Sequence, residues 1–204
     1  MPHLILGTHN RKKCQELRDL LAPFGFELQS LAELPAAIEV EEAGETFAEN
    51  AILKATQQAK HLGCWVLGED SGLAVDALGG APGVYSARFS GPGASDESNN
   101  RLLLEKLAEV PLERRTAHYV CHAALSDPNG QVRAEGEDAC HGRLLFAGRG
   151  SGGFGYDPLF EIVEYHRTFG ELSPAVKAAL SHRARTIRAL VPRMLELAES
   201  GEWR

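Results

Sequence analysis

The stretch Gly68-Glu-Asp-Ser-Gly-Leu-Ala-Val-Asp-Ala-Leu-Gly-Gly-Ala-Pro-Gly-Val-Tyr-Ser-Ala-Arg88 limits what this chain can fold into more than any other. Cys64–Leu67, just before it, reads as a short buried strand. That strand is predicted to end abruptly in two adjacent carboxylates, Glu69 and Asp70, and a Ser71-Gly72 turn. Acids at a strand exit lie on the rim of a sheet, where α/β proteins bind ligands. Side by side they repel unless something positive joins them, and a hard oxygen-seeking cation such as Mg²⁺ is the common answer. Downstream, Gly79, Gly80 and Gly83 demand special backbone geometry, either close to a ligand or in a plain turn.

With 204 residues, 44% of them hydrophobic and 24% charged, the chain suits one soluble domain or one domain with two lobes. Its net charge of −7 argues against a general nucleic-acid binder, which needs a broad basic face. It leaves room for a small anionic ligand, because Lys12, Lys13, Lys54, Arg149, Lys177, Arg183 and Arg185 lie in or beside candidate site segments. Cys14, Cys64, Cys121 and Cys140 are widely spaced and read as small buried hydrophobes in a reducing compartment. No apolar run approaches the ~18 residues that span a membrane. The N-terminus lacks the basic and apolar regions of a secretory signal, so the expected location is the cytoplasm.

His3–Leu6 is predicted as a strand and Arg11–Leu21 as a helix, the opening of an α/β unit. Thr46 and Glu49 form a capping box for a helix that stops at Gly63. A third helix is predicted from about Asp96 to Ala108, capped by Ser95. Arg115–Leu125 alternates and meets the turn Asp127-Pro-Asn-Gly130, with Gln131–Gly136 as partner strand and Ala139–Phe146 as a further strand. The middle third is therefore expected to be antiparallel, giving a mixed sheet. Ser173-Pro174 starts a helix, and a final helix follows His182, which Pro192 should kink or interrupt.

Thr8-His-Asn-Arg-Lys-Lys13 joins the first strand to the first helix. Its cations are electrostatically wrong for a helix N-terminus, a mismatch that a bound polyphosphate would cure and a solvated turn would tolerate. Glu41–Asn50 with Lys54 is weaker evidence, since first-turn acids also serve the helix dipole. Gly148-Arg-Gly-Ser-Gly-Gly-Phe-Gly-Tyr-Asp-Pro158 lets backbone approach a ligand, with Phe154 or Tyr156 to stack on a base and Asp157 to bond a base or sugar. It lacks a Walker lysine, and a hairpin tip is the structural alternative. Lys177 and Ser181-His182-Arg183 offer donors to a carbonyl or phosphate, or merely a positive helix end. Cys121-His122 and Cys140-His141 are poor zinc ligands, because strand neighbours face opposite sides.

Taken together, these segments resemble the inosine triphosphate pyrophosphatases, the Ham1-like group of non-canonical purine NTP pyrophosphatases. The matching residues are Thr8–Lys13, Thr46–Ala55, Asp70–Arg88, Phe154–Pro158 and Ser181-His182-Arg183, which span nearly the whole chain. The resemblance implies an α/β fold over residues 1–204: a mixed, elongated sheet flanked by helices, in two lobes with a central active-site cleft. It implies a homodimer that hydrolyses the small-molecule nucleoside triphosphates ITP, dITP and XTP to monophosphate and pyrophosphate with Mg²⁺. On that resemblance Asp70 is the proton acceptor and a metal ligand, and Glu41 is a second metal ligand. Thr8, Asn10, Lys13 and Lys54 hold the triphosphate, and Ser71 is a further substrate contact. Phe154, Gly155, Tyr156, Asp157, Lys177, His182 and Arg183 hold the purine.

His9 and Lys12 stand where the group usually has glycine, and Glu69 where aspartate is common; the longer side chain is expected to alter the metal shell. Rival readings are a nucleotide-binding regulator, an RNA-binding or structural protein, and a pyrophosphatase for modified pyrimidine nucleotides. The acids Glu41 and Asp70 disfavour the first, and the acidic balance disfavours the second.

Overall fold

Leu4, Ile5 and Leu6 are wholly buried, and a run this apolar is stable only inside a sheet covered on both faces. In the computed structural model, which describes residues 1–203, it forms β1 (His3–Gly7). The chain continues through α1 (Arg11–Leu21), β2 (Glu27–Ser30), α2 (Phe47–Leu62), β3 (Val66–Val75) and α3 (Asp96–Lys106). It then forms β4 (Thr116–Ser126), β5 (Val132–Leu144), β6 (Phe160–Ile162), β7 (Arg167–Thr168), α4 (Pro174–Leu180) and α5 (His182–Glu199). Among the described residues, seven strands pair in the order β2-β1-β3-β4-β5-β6-β7. β1 is parallel to β2 and β3, whereas β6 is antiparallel to β5 and β7, so the sheet is mixed as expected.

Two strands run on where the sequence suggests breaks. β3 does not stop before the acids but carries Glu69, Asp70, Ser71 and Gly72 in its interior. Ser-Gly is a turn signal only while its backbone groups lack ladder partners, and here β3 runs on past the end of β1 with β4 as its other neighbour. Gln131–Gly136 and Ala139–Phe146, expected as separate strands, form the single 13-residue β5. Glu135 and Glu137 interrupt no hydrophobic run, because both lie on the exposed face of an alternating strand. Pro192, expected to kink or interrupt the last helix, does not interrupt it: it lies inside α5, which continues to Glu199. Proline costs a helix about 3 kcal/mol. Ile187, Leu190, Val191, Met194 and Leu197, all buried in one core cluster on both sides of it, offset that cost.

The chain divides into two units. The first comprises Met1–Asp70, Cys121–Asp138 and the chain from Arg183 onward. Its core packs Leu4, Leu6, Leu17, Leu21, Leu67 and Leu125 with the inner face of α5. Trp203 stacks on Trp65 at 4.6 Å and donates its indole N–H to the His3 carbonyl. The second unit comprises Ser71–Val120 and Ala139–His182 and has its own core of Leu73, Val75, Leu103, Tyr119, Phe160 and Phe169. Among the described residues no helix is long and apolar enough to cross a membrane, and all four cysteines are free thiols.

Arg115 is the largest wholly buried side chain of the second unit, and its partners are backbone carbonyls. Its Nε donates to Val110 O, Nη1 to Leu145 O and Nη2 to Leu107 O at 2.8, 3.1 and 2.7 Å, and its guanidinium lies 3.9 Å from the Phe146 ring centre. These acceptors lie beyond the ends of α3 and β5, and one of them, Leu107 O, also accepts the Val110 N–H at 2.9 Å. Arg115→Met is expected to deprive Val110 O and Leu145 O of their guanidinium donor, while Leu107 O keeps the Val110 N–H, and to cost about 3 kcal/mol, taking each buried acceptor at roughly 1–3 kcal/mol. Urea denaturation measures it; a loss below about 1 kcal/mol refutes the role.

Candidate active site

In an open parallel sheet, ligands bind beyond the carboxyl ends of strands where connections leave in opposite directions. β1 is such a place, with β2 on one side and β3 on the other. Gly7 pairs with Gly68, so Thr8–Lys13 and Glu69-Asp70 emerge at the same end. A Cβ at Gly68 would lie 2.4 Å from Ala51 O and 2.6 Å from Ala55 N, so α2 packs directly on the strand. This close approach carries Asn50 and Lys54 to Asp70.

The two acids have separate partners, as strand neighbours facing opposite sides must. Glu69 is bound by Lys13 Nζ at 2.9 Å and Arg183 Nη2 at 3.2 Å, and it accepts the Cys121 thiol at 3.2 Å. Burial pushes its carboxyl upward, but Arg183 and Lys13 outweigh burial and hold it well below the usual carboxylate range. Arg183 also pairs with Glu16. Asp70 instead accepts from Lys54 Nζ at 2.9 Å and Asn50 Nδ2 at 3.4 Å. Burial dominates there, and its carboxyl is raised despite Lys54. The repulsion inferred between the acids is thus relieved by protein cations, one set on each face. The extra methylene of Glu69 reaches Lys13 and Arg183, away from Asp70.

Lys54 also contacts Glu42 at 3.2 Å, and Asp70 and Glu42 raise its affinity for a proton against the effect of burial. Glu42, which sequence patterning gave no reason to prefer, is therefore the acid brought to the Asp70–Lys54 pair, while Glu41 is exposed. Asn10 caps α1, accepting from Lys12 N and Lys13 N at 3.0 and 3.2 Å, and its own N–H donates to Thr8 Oγ1 at 3.1 Å. Lys13 is held by Glu69, whereas His9 and Lys12 are exposed. Among the described residues no group of three or more His, Cys, Asp or Glu side chains is arranged to hold a metal ion alone.

The second unit gathers the glycine-rich segment, α4 and His182. Asp157 Oδ2 accepts the Phe154 N–H at 2.8 Å and Lys177 Nζ at 2.6 Å, while Oδ1 accepts the Tyr119 hydroxyl at 3.3 Å. A Cβ at Gly153 would lie 1.9 Å from Asp157 Oδ2, so only glycine admits this carboxylate. Lys177 Nζ lies 4.7 Å from the centre of the partly exposed Phe154 ring. His182 stacks on Tyr119 at 4.7 Å, nearly parallel. Tyr156 belongs to the core, and its hydroxyl donates to Ser86 O at 2.8 Å, leaving Phe154 as the accessible ring of the pair. Tyr119 carries no sequence signal beyond facing inward on an alternating strand. Ser71 follows Asp70 in β3 and opens this unit.

Residues 4–193 match the model of the Ham1 family. A dITP/XTP pyrophosphatase of Rhodopirellula baltica is 55% identical over 197 residues, which is 97% of this chain and 95% of that one. A dITP/XTP pyrophosphatase of Geobacter sulfurreducens is 48% identical over 93% of this chain and 95% of that one. Among solved structures, a HAM1 protein from Coxiella burnetii superposes with a TM-score of 0.87 at 34% identity, covering 96% of this chain and 100% of that one. A nucleoside-triphosphatase, dITP/XTP pyrophosphatase, from Mycobacterium abscessus gives 0.75 at 43% identity, over 93% and 99%. The acids and lysines around β1 and β3 thus sit in a fold and a sequence context shared along nearly the whole chain, which belongs to the Ham1 family.

Proposed function

We propose that this protein hydrolyses the non-canonical purine triphosphates ITP, dITP and XTP to the monophosphate and pyrophosphate, as a cytoplasmic homodimer that cleanses the nucleotide pool. The observation that carries the reading is Asp70: a buried carboxylate, raised in proton affinity, beside Lys54 in the interior of β3, two residues past the point where the parallel strand β1 ends. A base with raised affinity takes a proton from water better than an ordinary carboxylate. Asp70 orients the attacking water toward the α-phosphorus and accepts its proton, while Asn50 and Lys54 fix the carboxylate. Lys13, Lys54, Asn10 and Thr8 bind the phosphate chain, and the two ammonium groups meet the charge that grows on leaving pyrophosphate.

The donor set fits Mg²⁺. Asp70 and the Glu41-Glu42 pair offer hard oxygens, and the Lys54 ammonium bridges Asp70 and Glu42, marking a point where positive charge is favoured. Mg²⁺ commonly takes one or two carboxylates and completes its shell with water and substrate phosphates. When bound, it neutralises phosphate charge and polarises the phosphoryl oxygens.

The second unit's residues recognise the base in this reading. Phe154 offers a face to the purine, and Lys177, with Ser71 and His182, supplies further substrate contacts. Hypoxanthine and xanthine carry a 6-oxo acceptor that these donors match; adenine carries a donor there, and unpaired buried donors are strongly disfavoured. A turnover screen over ITP, XTP, dUTP, GTP and ATP with Mg²⁺ tests the proposal. ITP and XTP are expected to release pyrophosphate at least tenfold faster than ATP, on the order of one lost hydrogen bond. No release from either, or orthophosphate as the product, overturns it.

A further inference from the structure

One face of α3 holds the loop that carries Phe154. Asp96 and Asn100, one helical turn apart, reach the same residue from the same side. The Gly155 N–H donates to Asp96 Oδ2 at 2.9 Å, and Asn100 Nδ2 donates to Gly155 O at 2.9 Å. Both peptide groups of Gly155 are therefore held. Gly155 has φ +61°, a conformation reached freely by glycine, and nothing lies within 4 Å of where its Cβ would be. An open groove of about 640 Å³, lined by Asp96, Asn100, Gly153, Phe154 and Gly155, borders this side of the loop. Packing thus does little to hold Gly155, and two hydrogen bonds do it instead. Asn100 keeps its Oδ1 buried without a hydrogen-bond partner while Nδ2 meets Gly155 O, so the carbonyl sets the amide's orientation. Asp96 in the first turn of α3 also suits the helix dipole, but that accounts neither for its bond to Gly155 nor for Asn100.

We propose that Asp96 and Asn100 are positioning residues that clamp Gly155 and so set the pose of Phe154 and Asp157 for the base. The inference rests on the purine-pyrophosphatase reading above. It assigns α3 a share in substrate affinity and base choice, and none in the chemical step.

The test compares Asp96→Ala, Asn100→Ala and Asp96→Asn, which keeps an acceptor oxygen, with the native protein. Steady-state pyrophosphate release is measured with ITP and GTP, and amide hydrogen exchange is measured across 152–158. In each alanine variant KM for ITP is expected to rise about tenfold, the effect of losing roughly one hydrogen bond at the loop. Its kcat is expected to stay within about twofold, and its ITP-to-GTP ratio of kcat/KM to fall. Exchange at Gly155 is expected to quicken at least tenfold in Asp96→Ala, and Asp96→Asn to restore KM to within about threefold. A merely structural role lowers kcat with the folded fraction and leaves KM alone. Unchanged KM in both alanine variants, or unchanged exchange at 152–158, overturns the clamp. If Asp96→Ala does not fold, Asn100→Ala decides, since it removes only the other bond. Absence of turnover in the native protein instead removes the functional reading, and the exchange measurement still tests the clamp.

Discussion

Asp70→Asn is expected to lower kcat for ITP about 1000-fold, within the range that a positioned general base contributes. The amide keeps an oxygen for Lys54 and nearly the same volume, but it cannot take the proton of the attacking water. Triphosphate affinity is expected to change far less, because Lys13 and Lys54 remain. Stability is expected to hold or rise. The folded protein raises Asp70 above its ordinary value of 3.8, chiefly by burial, so keeping it ionised costs stability at every pH above that range. Asparagine removes the cost. Pyrophosphate release, equilibrium binding of ITP and a thermal melt check the three parts; a kcat within tenfold of the native enzyme rejects Asp70 as the base.

Glu69→Leu is expected to destabilise the protein by about 3–5 kcal/mol, the usual cost of removing one partner from a buried pair. Glu69 and Arg183 are each 1% exposed, and Glu69 Oε1 receives both Lys13 and Arg183, which also reaches Oε2 at 3.4 Å. Without it these cations keep their desolvation but lose the charge that offsets it, although Glu16 still holds one side of Arg183. The sign of the pH dependence follows from the lowered carboxyl. A carboxylate depressed on folding contributes stability that is fully present above its unfolded value and is lost as pH falls through its folded value. The gap between native and variant stability should therefore be constant above pH 4.5, the ordinary value, and close only in more acid solution. Urea titrations at several pH values measure it. A gap under about 1 kcal/mol at neutral pH refutes the role.

The two variants separate functions that adjacency in the chain hides. Glu69 and Asp70 look alike in sequence, a pair of acids suited to one cation. The pleat sends them to different partners: one is a charge anchor for Lys13 and Arg183, the other the candidate base. The same pleat explains why the Cys121-His122 pair makes no joint site. The Cys121 thiol goes to Glu69, and His122 lies between Glu135 and Glu137.

What was legible in the residues was local. The Thr46–Glu49 box opening α2, Gly63 ending it and Ser173 at the start of α4 all act over a few residues, and each stands as the pattern predicts. Such bonds depend on the chain's own spacing, not on what packs against it. The unbroken courses of β3 and β5 and the helix through Pro192 were not legible, because each is upheld by distant neighbours that satisfy a backbone or bury a face. The site divides in the same way. Lys13, Lys54, Asp70, Phe154, Asp157 and Lys177 were recognisable as chemistry-bearing types. Arg183 meeting Glu69 from 114 positions away, Glu42 at Lys54 and the grip of α3 on Gly155 were not. Pairing over such separations carries no periodic signature; it exists once burial has made an unpaired charge or peptide group too costly to leave.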